Sequence, residues 1–431
     1  MEFSRYNYLS ELDGSYFLYN SRTEELVALQ PELLTFLTEH ATNSDNLLKY
    51  HSSFYNYLCE KKFLVEEQEK EVDEFIKELR EIDQSEKIFH LIINPTLDCN
   101  VHCWYCYEKR RSGTKMTKSV LDSTLLLIKK KLMCEKTELI NLSFFGGEPL
   151  LAYKDVVHPL ISKTTDLCKS LDKKMIVIFT SNGSLLNLDM LDYLKSLVTS
   201  GIPVQWQITL DGNNKTHNKI RKLADGTGTY STIIKNVKEL LKRNMFVTLR
   251  CNYTHQNVLS FYDVLDDLSD LTEKEKSMLE ISFQQVWQDK SEIKEQVEKI
   301  IDRIRNAHFN VIGDDLISKT RCYGDKTNSV VINYNGDLFK CTANDFTQKD
   351  SEGFLENDGT LNYNDKYTNR MQQKFTSKAC RKCVIFPICV GGCSQNYLYS
   401  SSHDKCVKNI TPLIIENVIK KRIRRIINSI Y

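Results

Sequence analysis

The sequence has no excess of charge of either sign. Its 58 lysines and arginines face 57 aspartates and glutamates, for a net charge of +1. No global field therefore draws the chain to nucleic acid or to an anionic membrane surface. No run approaches the ~20 apolar residues of a membrane span. The amino terminus, Met1-Glu2-Phe3-Ser4-Arg5-Tyr6-Asn7, has no basic segment followed by an apolar run, so no secretion signal is expected. These absences point to a soluble, cytoplasmic protein. Cysteine is scarce at first: residues 1–85 hold only Cys59.

What is present is a hydrophobic fraction of 41%, enough for a core, in 431 residues, enough for two or three domains. The whole chain has 14 cysteines. In a reducing compartment these read as metal ligands or reactive thiols rather than disulfides. Three of them, Cys99, Cys103 and Cys106, stand in the run Leu97-Asp98-Cys99-Asn100-Val101-His102-Cys103-Trp104-Tyr105-Cys106-Tyr107. The polar residues between them argue against core packing. Three thiolates on one loop can hold three irons of a cubane [4Fe–4S] cluster, which normally takes four cysteines. One iron is then open to a substrate, as a catalytic metal requires. On this loop alone a zinc site, with His102 as fourth ligand, stays an alternative.

The middle of the chain alternates strand-like runs with helices. Ile88–Ile93 leads into the cysteine loop, and Leu139–Phe145 ends at Gly146-Gly147-Glu148-Pro149. Met175–Thr180 ends at Ser181-Asn182-Gly183, and Val204–Leu210 ends at Asp211-Gly212. Phe246–Asn252 and Glu280–Gln285 read as two more strands. Helices are expected between them, for example over Ser119–Met133 and Ile233–Arg243. This alternation predicts an α/β fold with a parallel sheet and loops gathered at one edge.

The spacing CxxxCxxC, with Tyr105 just before the last cysteine, resembles the signature of radical S-adenosylmethionine (radical SAM) enzymes. The resemblance implies a partial (βα)6 barrel. It also implies that Gly147 and Glu148 belong to a GGE motif binding the methionine amino group. The two glycines let backbone approach a ligand closely. Ser181 stands where the family often has threonine, and Thr209 in a ribose-contacting position. His217 and Arg221 match a His-xxx-Arg pattern, in which Arg221 pairs with the methionine carboxylate. Tyr105 is placed to meet adenine.

Seven cysteines crowd the last region: Cys322, Cys341, Cys380, Cys383, Cys389, Cys393 and Cys406. With Gly336, their order resembles the SPASM domain of peptide-modifying radical SAM proteins. That family carries two auxiliary [4Fe–4S] clusters, making three with the first. Carried over, Cys380, Cys383, Cys389 and Cys406 hold the far cluster, and Cys322, Cys341 and Cys393 the near one. A further cysteine usual after the first is missing here. Either one iron is open, or Asp325, Cys59, Cys134, Cys168 or Cys251 completes the set. A two-zinc carboxy-terminal domain is the alternative.

Residues 1–85 are expected to form a small α+β, winged-helix-like domain. Strands over Ser15–Ser21 and Leu26–Leu29 precede a helix starting at Pro31. A second helix runs through Phe54, Tyr55, Tyr57 and Leu58, followed by Phe63-Leu64-Val65. This pattern resembles the RiPP recognition element, which grips a leader peptide along a strand edge. A plain packing domain is the alternative. Glu66–Glu81 reads as a linker helix. The expected domains are thus 1–85, the radical SAM core 86–317, the SPASM domain 318–410 and a basic helix 411–431 with a solvated charged face.

The resemblance implies reductive cleavage of SAM to methionine and a 5′-deoxyadenosyl radical, which abstracts hydrogen from a substrate. A flavodoxin or ferredoxin would donate the electron. The leading substrate is a ribosomally made precursor peptide with a leader, receiving a thioether or carbon–carbon crosslink. The alternative is anaerobic sulfatase maturation to formylglycine. Those enzymes place an aspartate right after the second SPASM cysteine, whereas Thr342 follows Cys341 here. A third reading is a non-catalytic metal-binding scaffold, which the GGEP loop and Tyr105 disfavour.

Overall fold

A computed structural model describes residues 1–40, 44–312, 321–373, 375–400 and 404–430. The expected boundary at 317/318 lies outside these described residues. They fall into two compact units. A terminal unit takes 1–85, 321–327 and 368–430, and a central unit takes 86–312 and 328–367. No described helix is long and apolar enough to cross a membrane.

In the terminal unit, β1 (Glu2–Phe3), β2 (Asn7–Leu12), β3 (Ser15–Asn20), β4 (Leu26–Leu29) and β5 (Leu64–Val65) make two small sheets. β1 pairs with β5, and β2, β3 and β4 form an antiparallel meander in that order. Asp13 and Gly14 join β2 to β3 with φ of 51° and 80°, the two left-handed residues a tight hairpin turn demands. Pro31 starts the helix Pro31–Glu39, where its missing N–H costs nothing.

The helix Gln68–Asp83 is more than a linker. Its 3–4 spacing buries Val72, Phe75, Ile76 and Leu79 with Tyr6, Phe375 and Phe386. The terminal helix Pro412–Ile430 likewise buries Ile419 and Ile423 with Leu12, Tyr19, Ile385 and Ile388. Its polar side carries Arg422, paired with Glu24 at 2.7 Å, and Arg424, 3.6 Å from Asp13.

The central unit is built on one sheet. Parallel strands β6 (Ile88–Ile93), β7 (Leu139–Phe144), β8 (Lys174–Ser181), β9 (Val204–Leu210), β10 (Phe246–Tyr253), β11 (Leu279–Gln285) and β12 (Asn310–Ile312) lie side by side in sequence order. Helices between them, such as Lys118–Leu132 and Tyr230–Lys242, bury apolar stripes in the same core. This is the expected α/β architecture. Sequential order makes every loop at the carboxyl ends of these strands a neighbour of the next.

Beyond β6 the sheet continues. β13 (Ser329–Ile332) pairs parallel with β6, and β14 (Asp337–Phe339), β15 (Gly353–Leu355) and β16 (Leu361–Tyr363) extend it antiparallel. Residues 328–367, expected in the SPASM domain, thus extend the core's own sheet.

Candidate functional site

Six strand ends, those of β6 to β11, surround one cleft of about 510 Å³ in the central unit. Cys99, Cys103, Cys106, Tyr105, Gly147, Ser181, Thr209 and Arg221 all line it. Strand alternation explains the wall. Along β9, Val204, Trp206 and Ile208 are buried in the core, while Gln207 and Thr209 face the cleft.

Asp98 folds the cysteine loop. Its carboxylate accepts from the Cys99 N–H at 2.8 Å, the Gly113 N–H at 2.9 Å and Arg110 Nε at 2.7 Å. Burial opposes the charge, but these bonds hold the carboxyl below the usual range. The neighbouring stretch is braced by Arg111, which donates to the carbonyls of Phe346 (2.9 Å) and Asp345 (3.1 Å).

The glycines act differently from expectation. A Cβ on Gly147 would lie 2.1 Å from the Asp98 carbonyl oxygen, and one on Gly146 would lie 2.5 Å from that of Thr96. Their smallness lets this loop close on the backbone of the cysteine loop. The Glu148 N–H then donates to the Asp98 carbonyl at 2.8 Å. Glu148 itself is fully buried. Its carboxylate accepts from Ser181 Oγ (2.8 Å), the Asn182 N–H (2.7 Å) and the Leu150 N–H (3.1 Å). Burial pushes its pKa up against these bonds. It positions Ser181 and Asn182, and it is not among the residues lining the cleft. Asn182 in turn donates to Asn100 Oδ1 at 2.8 Å and reaches Cys99 Sγ at 3.9 Å.

Across the cleft, Arg221 Nε donates to Asp211 at 2.5 Å, and its Nη2 donates to Tyr105 Oη at 2.7 Å. Tyr105 Oη donates to Asp211 at 2.7 Å and accepts from Asn252 at 3.1 Å. Burial works against the Arg221 charge, and Asp211 together with Cys103 and Tyr105 more than offsets it. His217 sits behind this network. Burial and then Arg221 depress its pKa to about 3, so it is neutral, with Nδ1 accepting from the Asp211 N–H at 3.2 Å.

Residues 93–268 match the Radical SAM superfamily family model. The chain carries a radical SAM domain.

Relatives extend beyond that domain. A cysteine-type anaerobic sulfatase-maturating enzyme of Clostridium novyi is 24% identical over 356 residues, covering 72% of this chain and 89% of that protein. The radical SAM cyclopropyl synthase TigE of Paramaledivibacter caminithermalis is 21% identical over 407 residues, covering 85% and 82%. Among solved structures, Streptococcus suis SuiB bound to precursor peptide SuiA superposes with a TM-score of 0.53 at 16% identity, covering 95% of this chain and 100% of that one. Native anSMEcpe with bound AdoMet and Cp18Cys peptide gives 0.57 at 17% identity, covering 80% and 100%. The fold is therefore that of radical SAM enzymes.

The thiols suit the cluster such a domain implies. Burial, reinforced by Glu148, pushes Cys99 up to about 12, and burial with Glu108 pushes Cys106 to about 11. Cys103 is raised in the same way. Three thiols near enough to feel one another's charge form a soft donor set for iron–sulfur binding. Among the described residues, no three His, Cys, Asp or Glu side chains converge on one metal ion. The corners of a cubane stand further apart than the ligands of one ion.

In the terminal unit, Cys380, Cys383, Cys389 and Cys406 also lie within electrostatic reach of one another. Cys380 and Cys389 are buried in its cores. Cys322 and Cys393 belong to that unit and are exposed, while Cys341 belongs to the central unit.

Several cleft residues have no place in the sequence reading. Asn252 holds Tyr105; Trp104, Tyr107 and Trp287 form an exposed aromatic rim; Arg250 projects from β10; and Asp98, just outside the lining, holds the cysteine loop. Tyr107 and Trp287 stack with ring centroids 5.2 Å apart. A signal existed for Arg250: it alternates with core residues Val247, Leu249 and Cys251 along β10.

Proposed function

We propose that this radical SAM enzyme modifies a ribosomally made precursor peptide by forming a crosslink. The observation that carries it is the convergence of the three-cysteine loop, Gly147, Ser181, Thr209 and Arg221 on one cleft. A [4Fe–4S] cluster on Cys99, Cys103 and Cys106, with SAM, supplies a primary alkyl radical able to take hydrogen from an unactivated C–H bond. The chain's own part is placement and exclusion of water. Ser181 and Thr209 offer hydroxyls to SAM, and the Glu148 carboxylate fixes the loop that presents Ser181. The exposed rings of Trp104, Tyr107 and Trp287 give an unfolded peptide an apolar rim to lie on.

Four cysteines at 380, 383, 389 and 406 hold an auxiliary cluster. A third, on Cys322, Cys341 and Cys393, rests on sequence order alone. The peptide reading is supported by coverage: SuiB and TigE align with 95% and 85% of this chain, the sulfatase-maturating enzyme of Clostridium novyi with 72%. It is also supported by Thr342 after Cys341, where those relatives' resemblance implies an aspartate. The β2–β3–β4 meander of the terminal unit offers a strand edge to a leader peptide. A flavodoxin or ferredoxin donates the electron.

The test is anaerobic reconstitution, expected to give about twelve irons per chain. Incubation with SAM, reductant and the peptide encoded beside this chain should yield 5′-deoxyadenosine and a peptide lighter by two hydrogens per crosslink. Formylglycine on a sulfatase peptide instead would replace this reading with sulfatase maturation. Zinc in place of iron would end both.

A further inference from the structure

Three guanidiniums line the cleft: Arg110 is paired with Asp98, and Arg221 and Arg250 stand in contrasting states. Arg221 has two of its three nitrogens engaged inside the protein, on Asp211 and Tyr105, and Asp211 neutralises it. Arg250 lines the same cleft, yet it makes one hydrogen bond among the described residues, from Nε to the neutral amide oxygen of Asn252 at 3.0 Å. Its two terminal amino groups have no acceptor. No carboxylate pairs with it. Burial lowers its pKa; Tyr107, Tyr105 and Asp211 oppose this in part, and the nearby Arg221 charge adds to it.

A cation largely withdrawn from water is costly unless something pairs with it. Here no carboxylate among the described residues forms an ion pair with it. The β9–β10 register places Arg250 directly beside Thr209, so the free fork stands at the level of the cofactor-facing wall. Tyr107, stacked on Trp287, lies on the same side and contributes to the field at Arg250.

We infer that Arg250 is an anion-binding residue of the cleft and receives a carboxylate through its two free amino groups. A planar fork with two parallel donors matches carboxylate geometry. This deepens the reading of the cleft as the seat of SAM and a precursor peptide, and rests on it. Two sources carry the required group: the methionyl end of SAM, or an aspartate or glutamate of the peptide. Arg221, already neutralised, is the weaker candidate for that partner.

Binding to the reconstituted full chain separates the sources. Probes are SAM, decarboxylated SAM, and the blocked tripeptides Ala-Asp-Ala and Ala-Asn-Ala added with SAM present. If SAM is the source, the wild-type chain prefers SAM over its decarboxylated form by about tenfold to a hundredfold, and Arg250→Gln loses that preference. If the peptide is the source, the SAM preference survives in Arg250→Gln and the preference for the aspartyl tripeptide is lost. Arg250→Lys restores part of either preference, since a point charge replaces the fork. Equal preferences in Arg250→Gln and wild type, at unchanged iron content, overturn the inference. Failure of the underlying reading looks different: wild-type chain yields no 5′-deoxyadenosine from SAM and reductant.

Discussion

Cys99, Cys103 and Cys106 line a cleft at the edge of a parallel sheet, whereas Cys380 and Cys389 are buried among apolar side chains. Both sets are thiols close enough to raise one another's pKa. They differ in what lies around them. The first faces hydroxyls, amides, three guanidiniums and exposed aromatic rings. The second has Ile385, Ile388, Phe386 and Phe375 for neighbours, with Tyr397 Oη 3.2 Å from Cys380 Sγ. A metal in the first place can meet a ligand, while one in the second is enclosed. Enclosure suits electron storage or structural support, and openness suits chemistry.

The largest effect should separate the two sets outright. Cys99→Ala should remove about four irons and abolish 5′-deoxyadenosine formation. Cys383→Ala should also remove about four irons, yet leave SAM cleavage without peptide intact. Iron analysis with product chromatography reads both. If Cys383→Ala stops SAM cleavage while the first cluster's signal persists, the contrast between open and enclosed sets fails.

The next effect tests the surroundings. Ile388 is fully buried beside Cys389, so Ile388→Ala should cost about 2–5 kcal/mol in denaturant unfolding and lower iron retention. Trp287 is 58% exposed at the cleft rim. Trp287→Ala should cost under about 0.5 kcal/mol and raise KM for the peptide instead. Exchanged phenotypes would reverse the roles given to core and rim.

Much of the central unit was legible because its strands are apolar runs that stop at polar loops. The expected Ile88–Ile93 and Val204–Leu210 match β6 and β9 residue for residue. The terminal unit was less legible. β2 carries Ser10 buried and Leu9 40% exposed, so its hydrophobic pattern is inverted and gives no strand signal. β13 is four buried residues that pair with a strand some 240 positions earlier, a partnership no local pattern encodes. At the site, residue types pointed to loops that the structure gathers around one cleft, while the pairing of Arg221 with Asp211 and the freedom of Arg250 depend on distances between elements. Glu148 shows the same limit. Its motif marked the place, while its full burial and its bonds to Ser181 and Asn182 depend on the packing of separate loops.

The smallest effect concerns how the open set is held open. Gly147 and Gly113 both approach Asp98, for different reasons. Gly113 has φ of 73° and nothing within 4 Å of an added Cβ, so it needs only backbone freedom. Gly147 needs space: a Cβ there would meet backbone atoms of Asp98 at 2.1 and 2.6 Å, and backbone cannot rotate away. Gly113→Ala should therefore cost about 1 kcal/mol through strain alone and keep the first cluster. Gly147→Ala should cost about 1–3 kcal/mol and push the loop of Glu148 off the cysteine loop, breaking the 2.8 Å bond from the Glu148 N–H to the Asp98 carbonyl. Thermal unfolding and iron content measure both. Neither glycine has a close contact with the enclosed set, so its iron should stay unchanged in either variant. Wild-type stability and iron in Gly147→Ala would mean that the contact between the two loops is not what shapes the cleft.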